Sequence, residues 1–304
     1  MKRFYALFFS LQMFLIPAIF AQQAPAQRPA QPAQPAAPAQ QAPAAPAPVT
    51  FTQVAPNLYM ITGGRGANGG AYIGEKEVLL IDSKQDSASV AQVFAGLAKL
   101  TKNPVTRLVN THADGDHVFG NRFLPKGVTV IAHENCLKEF FVASMSGAPS
   151  DWNNPALKTY LPSVTYKDRL DLTIGTKRVQ LWYFGVGHTT GDTVVFFPDE
   201  KVAFTGDQVF TTRVQLIHAY KGGSSLSEVA TLEKMLATID ATTFVCGHND
   251  PIDRAAVQNH IAAQRKLQDQ VRSHKAMGMS LEDTQKQFEQ GQAALVQTIY
   301  NEVK

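Results

Sequence analysis

The densest group of side chains that could do chemistry lies in the stretch Thr111-His112-Ala113-Asp114-Gly115-Asp116-His117. Side chains two positions apart share a face in extended backbone, so His112, Asp114 and Asp116 can converge on one point. His117 can join them from the start of a following helix. Nitrogen and oxygen donors gathered this closely suit a divalent ion such as zinc, iron or manganese. A helix-capping turn with Asp116 as N-cap is the alternative, but a cap needs one carboxylate and no histidine.

Three further candidate ligands follow predicted strands, and each comes directly after a glycine. They are His188 in Gly185–Asp192, Asp207 in Phe204–Asp207 and His248 in Val245–His248. Glycine permits a close backbone approach and an abrupt change of direction. Taken alone, each of these residues is more typical of a turn than of a metal ligand. Their joint order after the first motif favours a shared metal centre.

Strands and helices alternate around these residues, which predicts a layered α/β domain without a full-length internal repeat. Strands are predicted at Asn57–Thr62, Gly70–Ile73, Val78–Ile81, Val105–Asn110, Val128–Ala132, Arg169–Ile174, Arg178–Phe184, Thr193–Phe197, Val202–Thr205 and Thr243–Cys246. Helices are predicted at 86–100, from Glu134, at Leu226–Ile239, from Asp253 to about His274, and from Ser280 with Asp283 at the capping-box position. The stretch Ser146–Pro162 is predicted to be a long loop, and loops of this kind often shape a substrate pocket.

The N-terminal residues 1–21 are typical of a secretory signal, with a positively charged start, an apolar run over Phe4–Phe20 and Ala21 as the cleavage site. An uncleaved anchor is the alternative, although Gln12 and Pro17 weaken a spanning helix. We therefore expect a bacterial periplasmic or secreted protein that has no stable membrane anchor.

Residues 22–48 are almost entirely Ala, Pro and Gln, a composition that predicts a disordered spacer and leaves 49–304 as one domain. The net charge of +3 comes from three basic residues within the first 48 positions, so nothing indicates a nucleic-acid surface.

The two cysteines, Cys136 and Cys246, could pair in an oxidising compartment. Two buried thiols are the alternative. The sequence does not indicate the oligomeric state.

In their order along the chain, the four motifs resemble those of the metallo-β-lactamase-fold superfamily, over about residues 50–250. That family carries His-x-His-x-Asp-His, then Gly-His, Gly-Asp and a final Gly-His. The resemblance implies a four-layer αββα sandwich with two divalent metal ions at one edge, zinc first among them. By position, it assigns His112, His188 and Asp114 to the first metal, Asp116, His117 and His248 to the second, and Asp207 to a bridging position. Four polar residues near these ligands are expected to orient their imidazole rings: Asp82, Thr111, Thr190 and Asp192.

Asp114 departs from the family pattern, which usually has a histidine there. Two divalent ions and one hydroxide together carry a formal charge of +3. The carboxylates of Asp116 and Asp207 reduce this charge to +1, and the carboxylate of Asp114 would reduce it to zero. A less positive site makes bound water less acidic and attracts anionic substrates less strongly. It also shifts the expected metal towards iron, manganese or a mixed pair. The alternative is that Asp114 binds nothing and the first site is weak or empty.

The resemblance implies a hydrolase that uses metal-bound hydroxide to cleave an ester, thioester, lactone or amide of a small molecule. Asp116 would also hold the nucleophile by a hydrogen bond. Asp114 and Asp207 favour the branch related to glyoxalase II, so we expect β-lactam hydrolysis, if present, to be weak. An iron-containing redox enzyme acting on oxygen or sulfur species is one alternative, and a non-catalytic metal-binding module is another.

Substrate contacts are expected from Trp152 in the long loop and from the loop Thr211–Gly223, which carries Arg213 and His218. Tyr220 and Lys221 of the same loop could also meet a substrate carboxylate. Solvated loop residues are the alternative for all of them. His260 and His274 lie on the predicted C-terminal helices and are expected at the surface.

Overall fold

The computed structural model describes residues 46–304, in which thirteen strands form two mixed sheets. The signal peptide predicted over residues 1–21 lies outside this range, as does the predicted spacer, 22–48, except for its last three residues. No helix in the described range is both long enough and apolar enough to cross a membrane.

The first sheet contains seven strands in chain order. They are β1 (Thr50–Ala55), β2 (Leu58–Thr62), β3 (Gly69–Ile73), β4 (Val78–Ile81), β5 (Val105–Val109), β6 (Thr129–His133) and β7 (Val164–Tyr166). Strands β1 to β4 pair antiparallel, whereas β4 to β7 pair parallel. β4 is apolar and buried at every position, as expected of a central strand that is covered on both faces.

The second sheet contains six strands in the order β13-β12-β11-β10-β9-β8. They are β8 (Arg169–Ile174), β9 (Lys177–Trp182), β10 (Val194–Phe197), β11 (Val202–Gly206), β12 (Thr243–Cys246) and β13 (Ile252–Asp253). β11 and β12 pair parallel, and the remaining neighbours pair antiparallel.

Seven α-helices accompany the sheets in the described residues. They are α1 (Ser87–Leu100), α2 (Gly115–Val118), α3 (Glu134–Glu139), α4 (Ser225–Thr238), α5 (Arg254–Ala276), α6 (Leu281–Gln285) and α7 (Ala293–Glu302). Short 3₁₀ helices lie at Phe119–Phe123, Asp151–Asn153, Pro155–Tyr160, Ala219–Lys221 and Gln290–Gln292.

Successive side chains of a strand point to opposite faces of the sheet, so they pack in different layers of the core. In β4, Leu79 packs in the cluster between the two sheets, and Leu80 packs in the cluster that joins the first sheet to α1. On the other side, Leu232 of α4 and Val257 of α5 pack with Phe244 of β12. The predicted four-layer αββα sandwich is confirmed.

The chain turns into the candidate site where parallel strands end together. Ile81 of β4 pairs with Val109 of β5, and the chain continues from them to Asp82 and to Thr111–His117. In the second sheet, Gly206 pairs with Cys246, which brings Asp207 and the segment after β12 to one edge.

The elements missed by the sequence analysis lie at the edges of the fold. β1 and β7 are edge strands of their sheet, β13 has two residues, and α7 follows the predicted helices. The expected long loop contains two 3₁₀ helices instead of irregular backbone alone. The capping prediction holds, because the Ser280 hydroxyl accepts a hydrogen bond from the backbone N–H of Asp283 at 3.1 Å. Cys136 and Cys246 are free, buried thiols.

Candidate metal centre

The structure brings the seven candidate ligands together as two neighbouring groups at the edge of the sandwich. One group contains His112, Asp114, His188 and Asp207, and the other contains Asp116, His117 and His248. Within each group the possible ligand atoms all lie within 4.8 Å of one another. Residues from four separate turns therefore converge where the sequence predicted a shared site.

Asp207 lies between the two groups. Its Oδ1 is 3.1 Å from His117 Nε2, and its Oδ2 is 3.2 Å from His248 Nε2, although it also belongs to the group of His112. Two ligands on one tetrahedral zinc ion, each about 2.0–2.1 Å from it, lie about 3.3 Å apart. The donor atoms of Asp207, His117 and His248 are therefore spaced as ligands of a common ion.

Several buried donor atoms have no hydrogen-bond partner of their own. His112 Nε2, His117 Nε2 and Asp207 Oδ1 are inaccessible to solvent and make no hydrogen bond. Buried polar atoms are normally satisfied, so three unsatisfied atoms in one cluster need an explanation. A divalent cation bound among them supplies it, and the mixed imidazole and carboxylate set suits zinc, iron or manganese.

The other ring nitrogens of the buried histidines are engaged with the protein. His117 Nδ1 lies 2.7 Å from Asp82 Oδ2, and His188 Nδ1 donates to the carbonyl of Leu216 at 2.8 Å. A ring that donates through Nδ1 keeps the lone pair of Nε2 free for a metal. The hydrogen bonds of the surrounding structure therefore select the metal-binding tautomer.

Asp82 is the centre of this support, as the sequence analysis expected for residues that orient the ligands. It accepts from the backbone N–H of Thr111 and from the Thr111 hydroxyl, both at 2.8 Å. The oxygen of the same hydroxyl lies 3.0 Å from His112 Nδ1 and can accept a hydrogen bond from its N–H. One carboxylate thus orients His117 directly and His112 through Thr111.

Thr190 and Asp192, which were expected to orient imidazoles as well, hold the loop around His188 instead. Asp192 accepts from the backbone and the hydroxyl of Thr189 at 2.9 and 2.6 Å. Thr190 donates to the buried carboxylate of Glu139, which the sequence analysis did not identify.

The carboxylates and imidazoles of the site stabilise one another's charged forms. Burial acts to raise the pKa of Asp207, but His117 and its neighbours hold that pKa well below its usual range. Burial likewise acts to lower the pKa of His188, which contact with Asp114 raises to about 10. Metal binding requires neutral imidazoles, so a bound cation takes the place of these protons.

Asp114 is surrounded by nitrogen donors. Its Oδ2 lies 3.1 Å from His188 Nε2, 3.5 Å from His112 Nε2 and 2.7 Å from His218 Nε2. Its Oδ1 lies 2.5 Å from Lys221 Nζ. His218 was expected to contact substrate, and Lys221 to meet a substrate carboxylate or solvent. Both contact this aspartate, and both also line the cavity beside it.

A cavity of about 440 Å³ opens over the two groups, and both Asp114 and Asp116 line it. Trp152 forms part of its wall, in agreement with the expected role of the long loop, together with Phe119 and Phe140. Arg213 is exposed, stacks over the ring of Phe210 at 4.1 Å, and does not line this cavity. The structure therefore places Trp152, but not Arg213, in the wall of this cavity.

Proteins of known type resemble this chain over parts of its length. The 2,4-dinitroanisole O-demethylase subunit alpha of a Nocardioides species is 31% identical over 140 residues, covering 45% of this chain and 40% of that protein. The hydroxyacylglutathione hydrolase of Brucella ovis is 29% identical over 143 residues, covering 46% of this chain and 47% of that protein. The chain thus spans less than half of the length of these relatives.

Structure and family comparisons cover more of the domain. A metallo-beta-lactamase from Pontibacter korlensis superposes with a TM-score of 0.59 at 18% identity, covering 71% of this chain and 99% of that one. The family model described as "Metallo-beta-lactamase superfamily" matches residues 62–248, which include all seven candidate ligands. Because this match covers more than half of the sequence and its fold agrees with the superposition, the chain belongs to the metallo-β-lactamase superfamily.

Proposed function

We propose that this protein is a metal-dependent hydrolase that cleaves an ester, thioester, lactone or amide bond of a small molecule. The observation that carries the proposal is the pair of ligand groups, which Asp207 connects through its contacts with His117 and His248 and which contain unsatisfied buried donor atoms. When bound, two divalent ions would lower the pKa of a shared water and polarise the carbonyl that it attacks.

The chain's own residues define the remaining roles. Asp116 lines the cavity, and its Oδ2 lies 3.1 Å from His248 Nε2. The side chain of Asp116 keeps 30% of its exposure, whereas that of Asp207 keeps 3%. Asp116 can therefore reach both the second metal position and the attacking group, which it would hold by a hydrogen bond. Asp207 is enclosed and acts on the metals alone.

The walls of the cavity favour a substrate with an apolar or aromatic part next to its reacting carbonyl. Phe140 is almost fully buried and packs against Trp152 at 4.9 Å between ring centroids. Such rigid aromatic walls contribute binding through apolar contact and set the shape of the pocket. The relation to a hydroxyacylglutathione hydrolase supports the choice of a thioester among the first substrates to test.

The proposal is tested by metal analysis joined to a substrate panel. Protein purified without added metal is assayed for zinc, iron and manganese, then for turnover of an aryl ester, an acyl thioester, a lactone and a β-lactam. We expect a metal-dependent hydrolysis of at least one carbonyl substrate and weak turnover of the β-lactam. His112→Ala and Asp207→Ala should each abolish this hydrolysis and lower the metal content.

A histidine away from the site gives the matched control. His274 lies on α5 against Phe288, outside both ligand groups, so His274→Gln should retain metal and activity. An iron-rich preparation that hydrolyses none of the substrates would overturn the proposal and favour redox chemistry at the same centre. Unchanged metal content in both ligand variants would instead favour a non-catalytic module.

We also propose that the protein is exported, on the support of the sequence pattern of residues 1–21. Expression of the full chain in a Gram-negative host should give a periplasmic or secreted protein whose mature N-terminus follows Ala21. Retention of the uncleaved chain in the cytoplasm would contradict this.

A further inference from the structure

Lys221 is a buried cation that contacts Asp114, the ligand of the first metal group that departs from the family pattern. Its ammonium is 2.5 Å from Asp114 Oδ1 and 3.3 Å from the carbonyl of Ala113. Both side chains are largely enclosed, with 7% of the exposure of Lys221 and 12% of that of Asp114 remaining. Among the described residues, Asp114 is the one carboxylate within 4.0 Å of this ammonium. Because the pair is buried, removing one partner leaves the other charge enclosed without its counter-charge, which is far more destabilising than breaking a surface ion pair.

The backbone of the loop holds Lys221 in this position. His218 N donates to the carbonyl of His188 at 2.9 Å, and Lys221 N donates to the carbonyl of His218 at 2.8 Å. Gly223 packs so closely that a Cβ atom there would lie 2.3 Å from the His188 oxygen. The lysine is therefore attached to the same segment that presents a ligand of the first metal group.

His218 contributes a hydrogen bond to the same carboxylate. Its Nε2 is 2.7 Å from Asp114 Oδ2, which is shorter than the separation of about 3.3 Å expected for two ligands on one tetrahedral ion. The residue also stands outside the set of His112, Asp114, His188 and Asp207. His218 is thus a positioning residue for Asp114 and leaves the ligand count of the first group unchanged.

The charge of the pair has a consequence for the metal centre. An aspartate in place of a neutral histidine removes one positive charge from the site, and the ammonium of Lys221 returns it. We propose that Asp114 and Lys221 act as one neutral ligand unit, which gives the first metal site the net charge of an all-histidine site. This replaces the expectation that Asp114 makes the site less positive, and with it the reason to favour iron or manganese over zinc.

The pairing itself is tested on metal-free protein, prepared from the full chain with a chelator, by a double-mutant cycle on the melting temperature Tm. Lys221→Met removes the ammonium that faces the buried Asp114 carboxylate, and Asp114→Asn leaves the buried ammonium of Lys221 without its carboxylate partner. We expect each single variant to lose roughly 5–10 °C in Tm and the double variant to regain most of that loss. Additive losses would overturn the proposal.

Lys177 supplies the matched control, because it pairs with Asp199 and Glu200 near the start of β9, away from the ligand groups. Lys177→Met combined with Asp114→Asn should give the sum of the two separate Tm changes. Coupling as strong as that of Lys221 would show that the cycle reports a general effect of removing a lysine.

Zinc affinity gives a second measurement, which remains informative if the metal-free variants do not fold. In Asp114→His the ammonium of Lys221 faces a neutral ligand and repels the metal. Adding Lys221→Met to Asp114→His should therefore raise first-site zinc affinity by about tenfold or more. No gain would overturn the proposal. The inference rests on the proposed metal site for its consequence only, since the Tm cycle can succeed even if the hydrolase proposal fails.

Discussion

Asp82 Oδ2 lies 2.7 Å from His117 Nδ1, and this contact orients a ligand of the second metal group from the opposite side of the ring. Asp82 has a backbone φ of +55°, a left-handed conformation that favours short polar residues. The carboxylate accepts hydrogen bonds from Thr111 as well, so three donors meet one acidic side chain. A negatively charged carboxylate suits this position, because all three of the groups that face it are hydrogen-bond donors.

Asp82→Asn tests this relationship with little change in shape, because Asn also tolerates the left-handed backbone. The amide nitrogen must face at least one of the donors that now point at a carboxylate oxygen. We expect metal affinity to fall 10- to 100-fold, as is typical when such a supporting group is lost. Chelator competition measures it. Asp171→Asn, which alters an exposed aspartate bound to Arg169, should leave the affinity unchanged.

The glycine before His248 allows a close approach to the shared ligand. A Cβ atom at Gly247 would lie 2.0 Å from Asp207 Oδ1 and 2.9 Å from a carbon of the His117 ring. We expect Gly247→Ala to displace Asp207 and reduce the content of both metals, as measured by elemental analysis of the purified protein.

Gly187, before His188, is the matched comparison. A Cβ atom there would come no closer than 3.4 Å to Asp192 Oδ2, close to ordinary contact. Gly187→Ala should therefore keep most of its metal. Equal metal loss in the two variants would mean that the clash at Asp207 is not the cause.

The ligand cluster was predictable because its members follow strands whose pairing is encoded in their apolar patterns. Val78–Ile81 and Thr243–Cys246 were predicted with the bounds that the structure has, and the polar residues after them meet at one edge. Alternating burial and the shared ends of parallel strands are local properties that a sequence reveals.

The contacts of the loop over Thr211–Gly223 were not predictable in the same way. His218 and Lys221 reach Asp114 across more than a hundred positions of sequence, and no periodic pattern fixes where such a loop lies. A buried lysine was also unexpected, because lysine is rarely enclosed without a partner. The sequence named the aspartate as the irregular ligand, but only the structure shows what compensates its charge.

Trp152→Phe should alter substrate use without altering the metal centre. Trp152 is buried, lines the cavity and packs against Phe119 and Phe140, but it belongs to neither ligand group. The smaller ring enlarges the cavity and removes apolar contact, so we expect KM for an aryl or long-chain acyl substrate to rise about 10-fold. Steady-state kinetics with a short and a long acyl ester distinguish the effect. An equal loss for both substrates, together with metal loss, would contradict a role confined to the pocket wall.

His260 was expected at the surface of its helix, but it is buried. Burial lowers the pKa of His260 to about 4, against an opposing contribution from the backbone of Phe210. In the unfolded chain this histidine takes up a proton near its ordinary pKa of about 6.5, whereas in the folded chain it stays neutral down to about pH 4. The contribution of the neutral side chain to stability is therefore fully present above about pH 6.5. This contribution is lost as the pH falls towards 4.

We therefore expect His260→Phe to weaken the pH dependence of stability. Between pH 7.5 and pH 5 the wild-type protein should lose about 2 kcal/mol more unfolding free energy than the variant, because only the wild type must keep His260 neutral. Urea unfolding of metal-free protein at the two pH values measures this difference, and the ligand histidines cancel because both proteins contain them. An equal loss in the two proteins would show that His260 is protonated in the fold at no cost.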